Sequence, residues 1–412
     1  MTKTTIRYLA ALGILLGAAA ACNNDELFHN STEDPVSPLF TRYVSMGNSI
    51  TAGFQSNGIN DSTQRQAYAV LVARQMHTPF YQPLLNKPGC APPYTNVFTQ
   101  ARLGGGTSQT CLLREGQTPP PPYISDVAVP GATASSPTNN LVAGSNSNLL
   151  TQLFLGGLTQ IGMMRKVQPT FVTVWIGNND VLGAATDQTH PGDSLEVTDT
   201  ATFKTEYKAM LDSIDAIGSV KGGVLIGVAD VTQIPYASLG AVYFQLKATK
   251  LAALPSFQVD ASCAPSALGG VGDSSLVPFF YGLGLIAAAQ AAPTGGPFVL
   301  NCGTDDLVIT KPEFLKLHNS VLAFNAYISA QATARGYAYF DPNVALAQLK
   351  ADTTQVAFFP HAPPDPRATT APFGTAFSFD GVHPSAATHK LVANTLIAVI
   401  NAKYGTSLKT IP

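Results

Sequence analysis

Charge is scarce in this chain: 12% of its 412 residues are charged, and 23 Lys and Arg against 25 Asp and Glu leave a formal charge of −2. With no basic surplus there is no patch to neutralise phosphates, which excludes a nucleic-acid partner on electrostatic grounds. Cysteine is also sparse, five in all, and none stands in a CxxC pair or joins a histidine at zinc spacing, so no metal site is expected. Several signatures are missing outright: there is no GxSxG, no HExxH and no GxxxxGK[ST], and Gly104-Gly105-Gly106 lacks the lysine of a phosphate loop. Neither an internal repeat nor a low-complexity tract is present. What is plentiful is apolar side chain, 45% of residues, with 35 Gly and 30 Pro, the composition of a folded globular chain rather than a disordered or collagenous one.

The N-terminus reads apart from the rest. Lys3 and Arg7 precede an uncharged Leu- and Ala-rich run from Tyr8 to Ala21, the layout of a secretory signal peptide over residues 1–21, and the run is shorter than the ~20 residues that span a bilayer. It closes on Ala19-Ala20-Ala21-Cys22, which resembles the bacterial lipoprotein processing site where the cysteine is acylated, although Ala19 stands where Leu is usual. Simple secretion is the alternative. Residues 22–40 are polar and aperiodic and read as a lipidated tether, able at ~3.3 Å per residue to hold a domain up to about 60 Å from a membrane. Asn23 beside Cys22 favours an outer-membrane or cell-surface location over a periplasmic or secreted one. The other cysteines, Cys90, Cys111, Cys263 and Cys302, allow three pairings. Cys90 with Cys111 and Cys263 with Cys302 are favoured, since each pair brackets one irregular segment that a bridge would close, while free thiols or a mixed pairing stay open.

Residues 41–412 read as one domain of alternating strands and helices. Tyr43–Gly47, Phe171–Gly177 and Val224–Ala229 are apolar and β-rich, as strands buried on both faces should be, and Val127-Ala128-Val129 offers another strand end. Helical periods run over Leu149–Lys166, Ala201–Ile217, Pro312–Arg335 and Ala386–Tyr404. Such alternation implies a parallel sheet covered by helices on both faces, with its site at the carboxyl ends of the strands. Insertions at about 78–125 and 236–307 break the pattern. The second contains the apolar stretch Leu276–Ala289, read either as part of a helical subdomain packed on the core or as an apolar lid or acyl-binding wall.

Five residues on four segments could carry chemistry. Asp380 and His383 lie on a turn made tight by Gly381 and ended by Pro384, where the carboxylate can reach the imidazole Nδ1 and leave Nε2 as a base. The bland alternative is an Asp-Gly turn with Ser385 capping the last helix. Ser49 follows the terminal Gly of the first strand, where it would be exposed beside helix N-terminal amides, or would simply be a cap. Gly131 would let a backbone N–H approach a ligand, and Asn179 could aim its amide at the same place; either could be turn chemistry alone.

Taken in order, Gly47-Asn48-Ser49, Val129-Pro130-Gly131-Ala132, Gly177-Asn178-Asn179-Asp180 and Asp380-Gly381-Val382-His383 resemble the four blocks of the SGNH, or GDSL-type, hydrolases. Asp230-Val231-Thr232-Gln233-Ile234-Pro235-Tyr236 is similar to a segment of lipoprotein members. The resemblance implies a three-layer flavodoxin-like α/β fold, a catalytic Ser49, Asp380 and His383, an oxyanion hole of Ser49, Gly131 and Asn179, and no metal or organic cofactor. It further implies hydrolysis of carboxylic esters, lipid or simple acyl esters, by attack of Ser49 Oγ on the carbonyl of a small-molecule or lipid ester substrate. Carbohydrate O-deacetylation and a non-catalytic binding module on the same scaffold are the alternatives. One departure is Asn48, where the family usually carries Asp.

Overall fold

The computed structural model describes residues 33–105, 122–139 and 149–412. The expected signal peptide, Cys22, most of the tether and Cys111 lie outside the described residues, and so does the expected Cys90–Cys111 pairing. The central sheet is parallel and consists of β1 (Tyr43–Gly47), β2 (Phe171–Trp175), β3 (Gly222–Ile226) and β4 (Ala338–Phe340), side by side in that order. An extended segment runs along the free edge of β1, where Ser45 N donates to Ser125 O at 3.0 Å and Val127 N and Val129 N donate to Ser45 O and Gly47 O at 2.9 and 3.1 Å. With this segment counted, chain order across the sheet is 2-1-3-4-5. The winding therefore reverses beside β1, and the crevice outside the strand ends at such a reversal is where open α/β sheets hold ligands.

Strand side chains alternate between two buried faces. Tyr43, Phe171, Trp175, Val224, Ile226 and Phe340 share one core, and Val44, Met46, Val172, Val174 and Leu225 share the other. The helices that frame the sheet and the site are α1 (Ser49–Ala52), α2 (Tyr68–Met76), α3 (Leu149–Leu155), α4 (Gln160–Val167), α5 (Asn179–Thr186), α6 (Thr200–Asp215), α7 (Phe279–Ala291), α8 (Lys311–Ala334), α9 (Pro342–Lys350) and α10 (Ala386–Tyr404). α2 and α10 cover the first face; α4, α6 and α8 cover the second, where Phe203 of α6 stacks on Phe324 of α8 with ring centroids 3.8 Å apart. This is the three-layer α/β architecture expected from the alternation.

Several boundaries differ from the expectation, each for a local reason. The single helix over Leu149–Lys166 is two, α3 and α4, because Gly156 and Gly157 take φ of 58° and 81° and Thr159 caps a new start through a 2.8 Å bond from Gly162 N. β2 stops at Trp175, short of Gly177, whose φ of 118° turns the chain. β3 begins two residues before Val224: Gly222 and Gly223 pair with β2, and a Cβ on Gly223 would lie 2.8 Å from Val172 Cγ2. β4 is a strand of three residues that the sequence pattern did not single out.

The 236–307 insertion is not a purely helical subdomain. Ala237–Leu239 pairs antiparallel with Leu276–Pro278, and Phe257–Val259 pairs parallel with Phe298–Leu300. These strands, α7 and the helix Gly240–Ala248 enclose a core of their own that includes Tyr243, Phe257, Val277 and Leu300. Cys263 and Cys302 are bridged within that core. Leu276–Ala289 is a strand end followed by most of α7, and no helix among the described residues is long and apolar enough to cross a membrane.

Candidate active site

The end of β1 is shaped by a residue without a side chain. A Cβ on Gly47 would fall 2.0 Å from Thr51 Oγ1, so only glycine lets the strand turn directly into α1. The Gln160 side chain clamps the Gly47 backbone from α4, accepting from Gly47 N at 3.2 Å and donating to Gly47 O at 3.1 Å. Asn48 then caps α1, its Oδ1 accepting from Ile50 N at 3.1 Å. Gly53, at φ 85°, ends the helix. Ser49 is the first residue of α1, where backbone N–H groups have no intrahelical acceptor. It was expected to be exposed and is instead 7% exposed, because the short helix seats it beneath the turn that carries His383.

That turn arrives from the other end of the chain. Gly381 takes φ 69°, Ser378 N donates to His383 O at 2.9 Å, and Ser385 Oγ caps α10 by accepting from Thr388 N at 3.4 Å. His383 Nε2 lies 2.9 Å from Ser49 Oγ, and His383 Nδ1 lies 2.8 Å from Asp380 Oδ2. Asp380 is heavily solvated by the protein: Oδ1 accepts from Val382 N and His383 N at 2.9 Å each and from Ser378 Oγ at 3.1 Å, and Oδ2 accepts from Asn57 N at 2.6 Å. Burial alone would push this carboxyl up, but the adjacent His383 and these donors outweigh it and hold it at about 2. The two loops are also stitched together by Ser56 N to Ser378 Oγ at 2.8 Å and Phe379 N to Ser56 Oγ at 3.1 Å.

Gly131 and Asn179 belong to two segments that pack on each other next to the end of β1. The bond from Val129 N to Gly47 O places the 130–134 turn beside β1, with Gly131 at φ 85° and exposed. Asn179 Nδ2 donates to Ala132 O at 2.9 Å, and Asp180 Oδ2 accepts from Ala134 N at 2.9 Å, so the second and third blocks hold each other. An amide nitrogen has two hydrogens, and this bond uses one of Asn179's. Asp180 is fully interior; burial pushes its carboxyl up to about 7 against the hydrogen bonds from Thr198 and Ala134. Gln160 and Asn57, which sequence reasoning did not single out, carry no local signal, since their partners lie 113 and 323 residues away, and Ser378, also not singled out, joins its neighbour Asp380 to Ser56, 322 residues away.

Two depressions meet at His383. One is an apolar cavity of about 80 Å³ that reaches Ser49 and is walled by α9 and the start of α10; the other is a cleft of about 230 Å³ containing Tyr94, Tyr236 and Phe280. Val231 and Ile234 of the Asp230–Tyr236 segment line the first and Tyr236 the second. Asp230 itself is elsewhere, paired with His318 Nδ1 at 2.7 Å. Leu276–Ala289, read as a candidate acyl wall, contributes Phe279 and Phe280 to the cleft and nothing to the apolar cavity.

The hydrogen-bonded series Ser49, His383 and Asp380 is the one that the sequence resemblance to SGNH, or GDSL-type, hydrolases implies. No family model matches the chain, and no curated protein does. Among solved structures it is similar to a catalytic mutant of an acetylxylan esterase from Geobacillus stearothermophilus, at 10% identity over 90% of this chain and 97% of that one, TM-score 0.37. It is also similar to an extracellular lipase from Streptomyces rimosus, at 14% identity over 88% of this chain and 99% of that one, TM-score 0.36. A third is an α/β hydrolase from the metagenome of Lake Arreo, Spain, at 11% identity over 90% and 99%, TM-score 0.37.

Proposed function

We propose that this SGNH-type chain hydrolyses carboxylic esters, lipid or simple acyl esters, with Ser49 as nucleophile. The observation that carries the reading is the continuous relay from Ser49 Oγ through His383 to Asp380, at 2.9 and 2.8 Å. His383 Nε2 takes the Ser49 proton as Oγ attacks the ester carbonyl, and Asp380, ionised at any working pH, fixes the tautomer and stabilises the imidazolium. The oxyanion of the tetrahedral intermediate accepts from the Ser49 and Gly131 backbone N–H groups and from Asn179 Nδ2. The intermediate collapses by breaking the bond to the alcohol oxygen, which leaves with the proton from Nε2. Water, deprotonated by the same nitrogen, then cleaves the acyl-Ser49 ester and releases the acid.

Replacing the nucleophile tests this. Ser49→Ala should lower kcat on p-nitrophenyl esters by roughly 10³-fold or more while leaving the melting temperature within a few degrees. A fluorophosphonate probe should label Ser49 in the parent. Unlabelled Ser49 and a Ser49→Ala variant as active as the parent would move the reading to a non-catalytic binding module.

The N-terminal pattern supports export and attachment to an outer membrane or cell surface through acylated Cys22, with the domain as the exposed hydrolase. Cys22→Ser should move the protein from the membrane fraction to the soluble one on cell fractionation. Retention in the membrane would count against the lipid anchor.

A further inference from the structure

The two depressions differ in chemistry and in which reacting group they touch. The apolar cavity is lined by Ser49 and by Val231, Ile234, Leu346, Leu349, Val382 and Leu391 among others, with no Lys, Arg, Asp or Glu among the described residues. The cleft touches His383 and Asp380 but not Ser49, and its other polar groups among the described residues are neutral: Asn57, Tyr94, Gln100, Thr186, Gln188 and Tyr236. Leu182, Val382 and His383 border both.

Reaction geometry assigns an end of the ester to each. In the acyl-enzyme the acyl carbon is bonded to Ser49 Oγ, so its chain must lie in a space that opens at Ser49. The departing alcohol must take its proton from His383 Nε2, so it lies in a space that opens at His383 and need not touch Ser49. We propose, resting on the esterase reading above, that the apolar cavity is an acyl pocket for chains of about four to six carbons, and that the cleft receives an uncharged polyol, with Leu346, Leu349 and Leu391 setting chain length. The size follows from volume: about 80 Å³ is roughly half of the ~150 Å³ that accommodates benzene in an engineered apolar cavity, room for about three carbons beyond the carbonyl, or a little more through the open end at Leu391. The alcohol class follows from the lining. Aromatic faces with amides and hydroxyls suit neutral hydroxyl-bearing groups, whereas among the described residues a phosphate or a quaternary amine would meet no charged partner there except the Asp380–His383 pair already engaged with Ser49.

The test is a p-nitrophenyl series from acetyl to dodecanoyl, measured as kcat/KM on the full chain. The expected profile rises by about fourfold per methylene, the yield of one buried CH₂, up to butyryl or hexanoyl and then falls. Leu346→Trp, which fills the cavity, should lower the hexanoyl-to-acetyl ratio by tenfold or more. Leu391 is 39% exposed at the mouth, so Leu391→Trp narrows the same space without burdening the core and guards against a variant that fails to fold. With the acyl group held at butyryl, esters of glycerol and of glucose should exceed the ethyl ester, and whichever is faster identifies the source of the polyol. Phe280→Ala should reduce that polyol preference and leave the acyl-length ratio where it was.

A Ser49-dependent optimum at acetyl or at dodecanoyl, or acyl ratios unmoved by both tryptophan variants, overturns the acyl pocket while the esterase reading stands. A faster ethyl ester overturns the polyol cleft. Absence of Ser49-dependent turnover with every ester, together with no fluorophosphonate labelling, overturns the esterase reading and this assignment with it.

Discussion

Asn48 stands between the strand and the nucleophile, in a place where the resembling family usually has Asp. Its Oδ1 serves as the cap of α1, a task either side chain can perform, while its Nδ2 is buried with no hydrogen-bond partner among the described residues. Asn48→Ala should therefore cost about 0.5–2 kcal/mol in chemical denaturation, the usual worth of an N-cap, and lower activity through a loosened α1. Asn48→Asp keeps the cap acceptor and removes an unpaired donor, so activity within about tenfold of the parent is expected in the same p-nitrophenyl assay. At this scale the sequence was informative for the reacting groups, because Ser49, Asp380 and His383 sit in short runs with turn residues around them. It was silent on Gln160, whose side chain clamps Gly47 only because α4 packs across the end of β1.

Among elements, β1 to β3 and the long helices were legible, and β4 and the interiors of the insertions were not. A strand buried on both faces is a continuous apolar run, and α10 has an apolar period with a serine before it and a glycine after it, so both declare themselves locally. The break between α3 and α4 depended on two glycines adopting positive φ, an option that composition permits without requiring. The 236–307 insertion is held by pairings between short strands far apart in sequence and by the Cys263–Cys302 bridge. That bridge closes a loop of separation 39, which on chain-entropy grounds is worth about 4 kcal/mol. Cys302→Ser should lower the melting temperature and sharpen proteolysis within the insertion. Because the insertion supplies Phe279 and Phe280 to the cleft, KM for esters of bulky alcohols should rise more than KM for the ethyl ester.

Over the whole molecule, two buried carboxyls outside the Ser49–His383–Asp380 relay make stability depend on pH. Asp126 and Asp180 are both interior, and burial pushes each carboxyl up to about 7 despite hydrogen bonds that favour the charged form, from Ser45, Ala128 and Gln82 for Asp126 and from Thr198 and Ala134 for Asp180. A raised folded-state value means that the unfolded chain releases its proton first. The stability present below about pH 4 is lost progressively as pH rises towards 7, by up to roughly 4 kcal/mol per group, and levels off above. Asp380 acts in the opposite sense: its lowered value adds stability above about pH 4 that is lost as pH falls towards 2. Denaturant midpoints between pH 4.5 and 7.5 should therefore fall in the parent, and fall less in Asp126→Asn. An equal slope in both would show that Asp126 is already ionised in the fold.

The sequence by itself determined the layer architecture, the order of the four blocks and the choice of Ser49, Asp380 and His383 as candidate reacting groups, because apolar period, glycine placement and short turn motifs are local properties that physics imposes residue by residue. Only the tertiary structure decided what surrounds the nucleophile. The apolar cavity is assembled from strand ends, α9 and the start of α10, and the cleft from Tyr94, Tyr236 and Phe280, segments separated by up to some three hundred residues. No window along the chain contains such a surface, since a pocket is made by the packing of elements against one another and not by any of them alone.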